Sequence, residues 1–394
     1  MLTQQDIRLD TLRKKAFNLR WAEVEEGVIP LTAADTDFPP PPEIGTALKA
    51  YIDEGYFPYT PKLGMPELRE ALAKAFRERK GEAMSAEHIL PIDSAARGMF
   101  VIARAVLHPG DEVIVFDPVD FLFRESALAA GAVPVYFPAV MKDGKLDLSR
   151  IEAYITPRTR MIGLCNPHNP LGLTYPAEDL DFLLDVAARH DLWIMNDEVW
   201  SDIIYTDGVF TSIMSRENTQ KVLSVYGFSK SFGIAGLRAG CVYCSDGAAF
   251  ERLVSASDVL TTAGGISSLS QVAATACLEK CYYWVDAFRE HLTANRDYAL
   301  ARLRSMPFMK CHTPQATFVL YCDVREAGVD SEKLCDWLRT RHKVAAVPGG
   351  ERYFGSASEG FIRLAIATSR EILAEGLDRL ERGFVQLRDG ITVV

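Results

Sequence analysis

The segment Ser224-Val225-Tyr226-Gly227-Phe228-Ser229-Lys230-Ser231-Phe232-Gly233-Ile234-Ala235-Gly236-Leu237-Arg238 most constrains what this chain can become. One lysine sits among small and hydroxyl residues, and an arginine follows eight positions on. Apolar runs flank it, Val222 to Tyr226 before and Ala239 to Tyr243 after. Both are short and bounded by glycine, which predicts buried strands. Lys230 is therefore expected on a loop between two strands, at the edge of a core. An apolar setting lowers the pKa of an amine, and a neutral amine can form a Schiff base. Ser229, Ser231 and Arg238 offer two hydroxyl donors and one guanidinium fork, a set that suits phosphate. The competing reading is a surface lysine in a Gly/Ser loop.

An aldehyde for the lysine and a phosphate for its neighbours together describe pyridoxal 5'-phosphate (PLP). The run S-K-S-F-G-I-A-G-L-R-A-G, Ser229 to Gly240, resembles the cofactor-lysine segment of the class I/II aminotransferases, the fold-type I PLP enzymes. Further motifs of that family should then follow in order along the chain.

Composition sets the outer bounds. A chain of 394 residues can bury a large core in more than one domain. At 48% hydrophobic and 24% charged it is an ordinary globular sequence. A net charge of −10 argues against nucleic acid as a partner. No apolar run approaches a membrane span and no N-terminal signal segment is visible, so a cytoplasmic protein is expected. Eight cysteines are scattered, and the Cys241/Cys244 C-x-x-C has no second pair to complete a zinc site. Structural thiols and no metal are expected.

Residues 1–44 read as an arm whose four prolines, Pro39 to Pro42, stop any helix and keep it extended. Its run Ala34-Asp35-Thr36-Asp37-Phe38 resembles the A-D-M-D-F of the cystathionine β-lyase-like branch. A helix should start at Pro66 and end at Gly81. Tyr59, ahead of it, matches the family tyrosine that reaches the neighbouring subunit's cofactor phosphate, which implies a homodimer with shared sites. Ser94, Ala95 and Ala96 open a second helix, whose free N–H groups suit phosphate. The family cradles the cofactor phosphate at this turn.

Strands at Glu112–Phe116 and Arg160–Leu164, with a helix at Ala177–His190, continue an alternating pattern. Alternation from Val113 to Tyr243 predicts an α/β fold, a mostly parallel sheet with helices on both faces. After the first strand the family stacks an aromatic ring on the cofactor. Here that position is Asp120, and Phe121 or Phe123 are the alternatives. Asn166-Pro167-His168-Asn169-Pro170-Leu171-Gly172 resembles the family turn whose second asparagine, Asn169, binds the cofactor ring oxygen and the substrate carboxylate. Asp197 ends a buried strand, where a carboxylate needs a partner; a pyridinium N–H is one. Trp200 stands where the family has Tyr or His, and its indole can only donate.

A long helical region, Leu269 to Arg304, should lead into a small C-terminal α+β domain with strands at Thr317–Tyr321 and Phe361–Ala367. Arg363 lies inside that last apolar strand and needs an anion. It matches the family arginine that grips the substrate α-carboxylate, with a structural ion pair as the alternative. The expected division is 1–44 with the small domain, 45–290 as the PLP domain, and 291–394 as the small domain. The resemblance implies an amino-acid aminotransferase using a Lys230 Schiff base and Cα proton abstraction, with an amino acid and a 2-oxo acid as substrates. A C–S lyase releasing pyruvate and ammonia, and a non-catalytic PLP-binding sensor, are the alternatives.

Overall fold

The computed structural model describes residues 2–261, 263–391 and 393. Its centre is a seven-stranded sheet. In spatial order the strands are Ile89–Ile92, Gly240–Tyr243, Val222–Gly227, Trp193–Asp197, Thr159–Cys165, Glu112–Asp117 and Val133–Pro138. Gly240–Tyr243 runs antiparallel to both of its neighbours. All other pairings are parallel. Nearly every residue of the inner strands is buried. That follows from helices on both faces, and it explains why these strands read as continuous apolar runs.

Strand order places the site. After Glu112–Asp117 the chain pairs Val133–Pro138 on one side, then returns to lay Thr159–Cys165 on the other. Such a reversal opens a crevice at the C-terminal strand ends. Asp120 and Asn169 follow the two strands that flank the reversal, Asp197 ends the next strand, and Lys230 follows the one after. Four residues scattered over more than a hundred positions are thus delivered to one edge.

The helix Ala95–Val106 is seated hard on this sheet. A Cβ at Gly98 would lie 2.8 to 2.9 Å from side chains of Val225, Ile92 and Val242, so only glycine permits the approach. Pro66–Lys80 begins at its proline, and Gly81 closes it at φ 70°.

A second, antiparallel sheet joins Lys310–Cys311, Val319–Asp323, Phe361–Ala365 and Val347–Pro348. The N-terminal segment packs on this part of the molecule. Ile29–Pro30 pairs in parallel with Val344–Ala345, and Ala365 N–H donates to the Leu31 carbonyl at 3.0 Å. Asp37 is tied into that segment by Arg20 at 2.5 Å and Trp21 Nε1 at 2.7 Å, so it serves structure.

Three local expectations are corrected. The proline run does not exclude helix, because Pro42 is the first residue of Pro42–Asp53, where a missing N–H costs nothing. A further helix, Leu9–Lys15, lies within the same arm. The region Leu269–Arg304 is two helices, Ser268–Lys280 and Tyr282–Leu303, broken at Cys281. The break aims Tyr282 under the Arg79 guanidinium and turns Trp284 onto Phe288 in the core. The small-domain strand starts at Val319, because Thr317 takes a left-handed φ of 72° and its hydroxyl accepts from Val319 N–H.

All eight cysteines are free and seven are buried, Cys241 and Cys244 among them. Among the described residues no helix is long and apolar enough to cross a membrane.

Candidate active site

Lys230 lies just past the end of Val222–Gly227. Its Nζ donates to the Ala34 carbonyl at 2.5 Å and sits 5.5 Å from the centre of the Trp200 ring. Burial lowers its pKa; Asp35 works against that, Arg363 adds to it, and Asp120 and Asp197 oppose it. Burial thus shifts the amine toward its neutral, nucleophilic form, with three carboxylates opposing.

Asp197 closes its strand buried. Oδ1 accepts the Val199 N–H at 2.9 Å, its one hydrogen bond among the described residues. Burial pushes its pKa up to about 7; the Val199 N–H holds it down, and Asp120 and Glu198 push it further up. An unpaired buried carboxylate is costly, so the position calls for a donor brought from outside. Glu198, the first residue past the strand, points the other way. It enters a fully buried cluster with Lys80 at 2.8 Å, Ser212 at 2.6 Å and Asn196 at 3.0 Å.

Arg363 and Asn169 meet across the crevice. Arg363 is 8% exposed, in the strand Phe361–Ala365, with its guanidinium 4.9 Å from the Phe354 ring centre. Nη1 donates to Asn169 Oδ1 at 3.2 Å, while Nε has no partner. No carboxylate forms an ion pair with it among the described residues. Burial pulls its pKa down to about 10, with Asp120 and Tyr321 opposing. Asn169 uses its Nδ2 to donate to Asp120 Oδ2 at 2.8 Å. Asp120, Asn169 and Arg363 therefore form one hydrogen-bonded chain.

Phe123 does not face this site. It is buried under the sheet, where a Cβ at Gly163 would come within 2.5 Å of its ring. The core claims it, because only glycine opposite leaves it room. Phe121 is 41% exposed. Trp200 is buried edge-on to Phe318 at 4.7 Å, and its indole N–H makes no hydrogen bond among the described residues.

The phosphate-suited groups gather at the start of Ala95–Val106. Ser94 caps that helix, its Oγ accepting Arg97 N–H at 3.1 Å. The N–H groups of Ala95 and Ala96 are first-turn donors that a helix leaves free. Gly240 lets the neighbouring strand pass beneath them; a Cβ there would be 2.7 Å from Ala95 N. Ser229 is half-buried and Arg238 exposed, at φ 52°, and neither side chain is hydrogen-bonded among the described residues. Ser231 is corrected: it is fully buried and donates to Asp202 Oδ2 at 2.8 Å, beside the Tyr226 hydroxyl at 2.6 Å. Its hydroxyl is committed to the core, and Asp202, 29 positions earlier, was not legible as its partner. Tyr59 is 92% exposed, on the rim of a recess of about 450 Å³ shared with Lys62, Ile266 and Gln271.

An amine poised toward neutrality, a carboxylate wanting a donor, free helix-terminal N–H groups and an unpaired guanidinium fit PLP and an amino acid. The family model "Aminotransferase class I and II" matches residues 26–380. The chain belongs to that family, and it is a PLP-dependent aminotransferase acting on an amino acid and a 2-oxo acid. It is 31% identical to an aspartate aminotransferase of Pyrococcus horikoshii, over 91% of this chain and 90% of the relative. It is 34% identical to an aspartate aminotransferase of Thermotoga maritima, over 90% of this chain and 91% of the relative. Cystalysin from Treponema denticola, whose structure contains PLP, superposes with a TM-score of 0.89 over 98% of this chain and 100% of that one. At 24% identity that likeness speaks for the fold. The sequence relatives favour amino transfer over the C–S lyase alternative.

Asp197 supplies a pH test on the cofactor-free protein. A carboxyl whose pKa rises from 3.8 unfolded to about 7 folded binds more protons in the native state between those values. Native stability then falls as pH rises through that window, by up to about 1.4 kcal/mol per unit. Denaturant unfolding of wild type against Asp197→Asn should show the wild type losing ground from about pH 4 to about 7 and levelling off above. A pH-independent difference would mean Asp197 is ionised in both states.

Proposed function

We propose that Lys230 carries the amino transfer between an amino acid and a 2-oxo acid, as cofactor anchor and general base. The observation that carries this reading is Arg363, a buried guanidinium with no carboxylate and a free Nε, facing the Lys230 amine. A buried arginine without an anion is a site for one. When bound, PLP supplies an electron sink conjugated to the substrate Cα. Ala95 and Ala96 N–H groups, Ser94, Ser229 and Arg238 would hold its phosphate, Asp197 would accept its ring N–H, and Asn169 and Trp200 would line its ring. Arg363, backed by Asn169, takes the α-carboxylate and fixes which Cα bond faces Lys230. Lys230 Nζ then takes the Cα proton, efficient because burial has brought its pKa down.

Residues 45–290 form the PLP domain in this reading, and 1–44 with 291–394 form the small domain. Two copies of the chain share their sites, each lending Tyr59 to the other's phosphate. Its 92% exposure, with exposed Tyr56 and Phe57 alongside, supports an intersubunit role.

Arg363→Ala should raise KM for amino acids about tenfold or more, while the matching amines, which lack a carboxylate, change little. The assay follows both keto-acid exchange and pyruvate plus ammonia release from a panel of donors. Equal losses for acids and amines would contradict the carboxylate role, and pyruvate release without exchange would contradict amino transfer.

Site sharing is tested by mixing Tyr59→Phe and Lys230→Ala chains. In a mixed dimer one site collects both defects and the other neither, so activity above that of either parent is expected. No gain, with mixed dimers verified by mass, would place Tyr59 in its own subunit's site or outside any site.

A further inference from the structure

Asp120 is a carboxylate set among the reacting groups without a cation of its own. Both its hydrogen bonds come from neutral donors, Leu122 N–H to Oδ1 at 3.1 Å and Asn169 Nδ2 to Oδ2 at 2.8 Å. Each carboxylate oxygen can accept more than one bond, so both keep capacity. Through Asn169 it is linked to Arg363, whose Nη1 lies 3.2 Å from the other end of the same amide. An anionic and a cationic pole thus stand one amide side chain apart, and both act on the Lys230 amine from close by.

That spacing suits a zwitterion. An amino acid in water carries its carboxylate and its ammonium on one carbon. Arg363 answers the first charge, and no group so far answers the second. The ammonium must also lose a proton before its nitrogen can act as a nucleophile. The charged groups that face Asp120 are Arg363, Lys230 and Asp197. Asp35 also acts on Lys230. It lies on the N-terminal segment, with Oδ1 occupied by Thr36 N–H at 2.9 Å and no bond to Asn169 or Arg363. Asp120 is the carboxylate wired to the carboxylate-binding arginine.

We propose that Asp120 docks the α-ammonium group of the incoming amino acid and accepts one of its protons. In that transfer an ammonium N–H bond breaks, an O–H bond forms on an Asp120 carboxyl oxygen, and the nitrogen keeps its lone pair as a neutral amine. No oxidant or further reactant is needed. Burial raises the pKa of Asp120, against the pull of Arg363 and Lys230, which suits a carboxylate that must hold a proton for part of a cycle. The pairing also accounts for an acid at a position where the cofactor ring would otherwise have an aromatic neighbour.

The inference rests on the amino-acid site proposed above, so its test avoids turnover. An α-methyl amino acid carries both charges but no Cα proton; the same skeleton without the amine carries the carboxylate alone. Calorimetry on the holoenzyme should show the first bound more tightly than the second. In Asp120→Asn that preference should shrink by about tenfold or more, as for loss of a charged hydrogen bond. Asp120→Glu should restore part of it. If wild type binds both ligands equally, or if Asp120→Asn weakens both by the same factor, Asp120 merely holds Asn169 and the proposal fails. A chain that shows the predicted preference yet exchanges no amino group would count against amino transfer and leave the role of Asp120 standing.

Discussion

Buried charge without a counter-ion, held at the C-terminal edge of the parallel sheet, is the constraint on which the rest of this structure depends. Asp197 and Arg363 each lie in an apolar strand, and Lys230 just beyond one; none has an ion-pair partner among the described residues. Leaving a charge so placed costs several kcal/mol unless something compensates it. Here the displaced pKa values register that cost, with Asp197 raised and Lys230 and Arg363 lowered. A fold tolerates such groups together only where they can be satisfied by what the site binds. The strand-order reversal between Glu112–Asp117 and Thr159–Cys165 opens the space in which that happens.

Elsewhere the same chain pairs several of its buried charges with one another. Lys80 sits between Glu82 at 2.9 Å and Glu198 at 2.8 Å, with the Tyr243 hydroxyl at 3.0 Å. Its pKa rises despite burial, because two carboxylates outweigh desolvation, while Glu82, the less well served acid, is pushed up to about 8. Arg20 and Asp37 form another closed pair at the root of the N-terminal segment. Glu198, paired, directly follows Asp197, unpaired, at the end of one strand. The contrast between the two marks which face is structural and which is open to chemistry.

Much of this is legible in the sequence alone. Inner strands read as apolar runs because both faces are covered, and their ends carried Asn169, Asp197 and Lys230 within recognisable motifs. Arg363 stood out because arginine is foreign to an apolar strand. Less legible were contacts made across long sequence separations. Ser231 looked like a phosphate donor beside Lys230, yet Asp202 claims its hydroxyl from below. Asp120 looked like a missing aromatic, and only the strand reversal brings it to the Asn169 amide. Phe123 looked available, and Gly163 shows that the core needs it. Pro42 and Cys281 misled for local reasons: a first-turn proline starts a helix as readily as it stops one, and a helix break leaves little trace in an apolar pattern.

The most direct test of the account is to locate the cofactor's covalent attachment. Borohydride reduction of the purified holoenzyme, followed by digestion and mass mapping, should find the pyridoxyl group on the peptide containing Lys230 and on no other lysine. A Lys230→Ala chain should give no reduced adduct while still binding PLP. A pyridoxyl group on a different lysine, or an adduct that survives in the Lys230→Ala chain, would contradict the account at its centre.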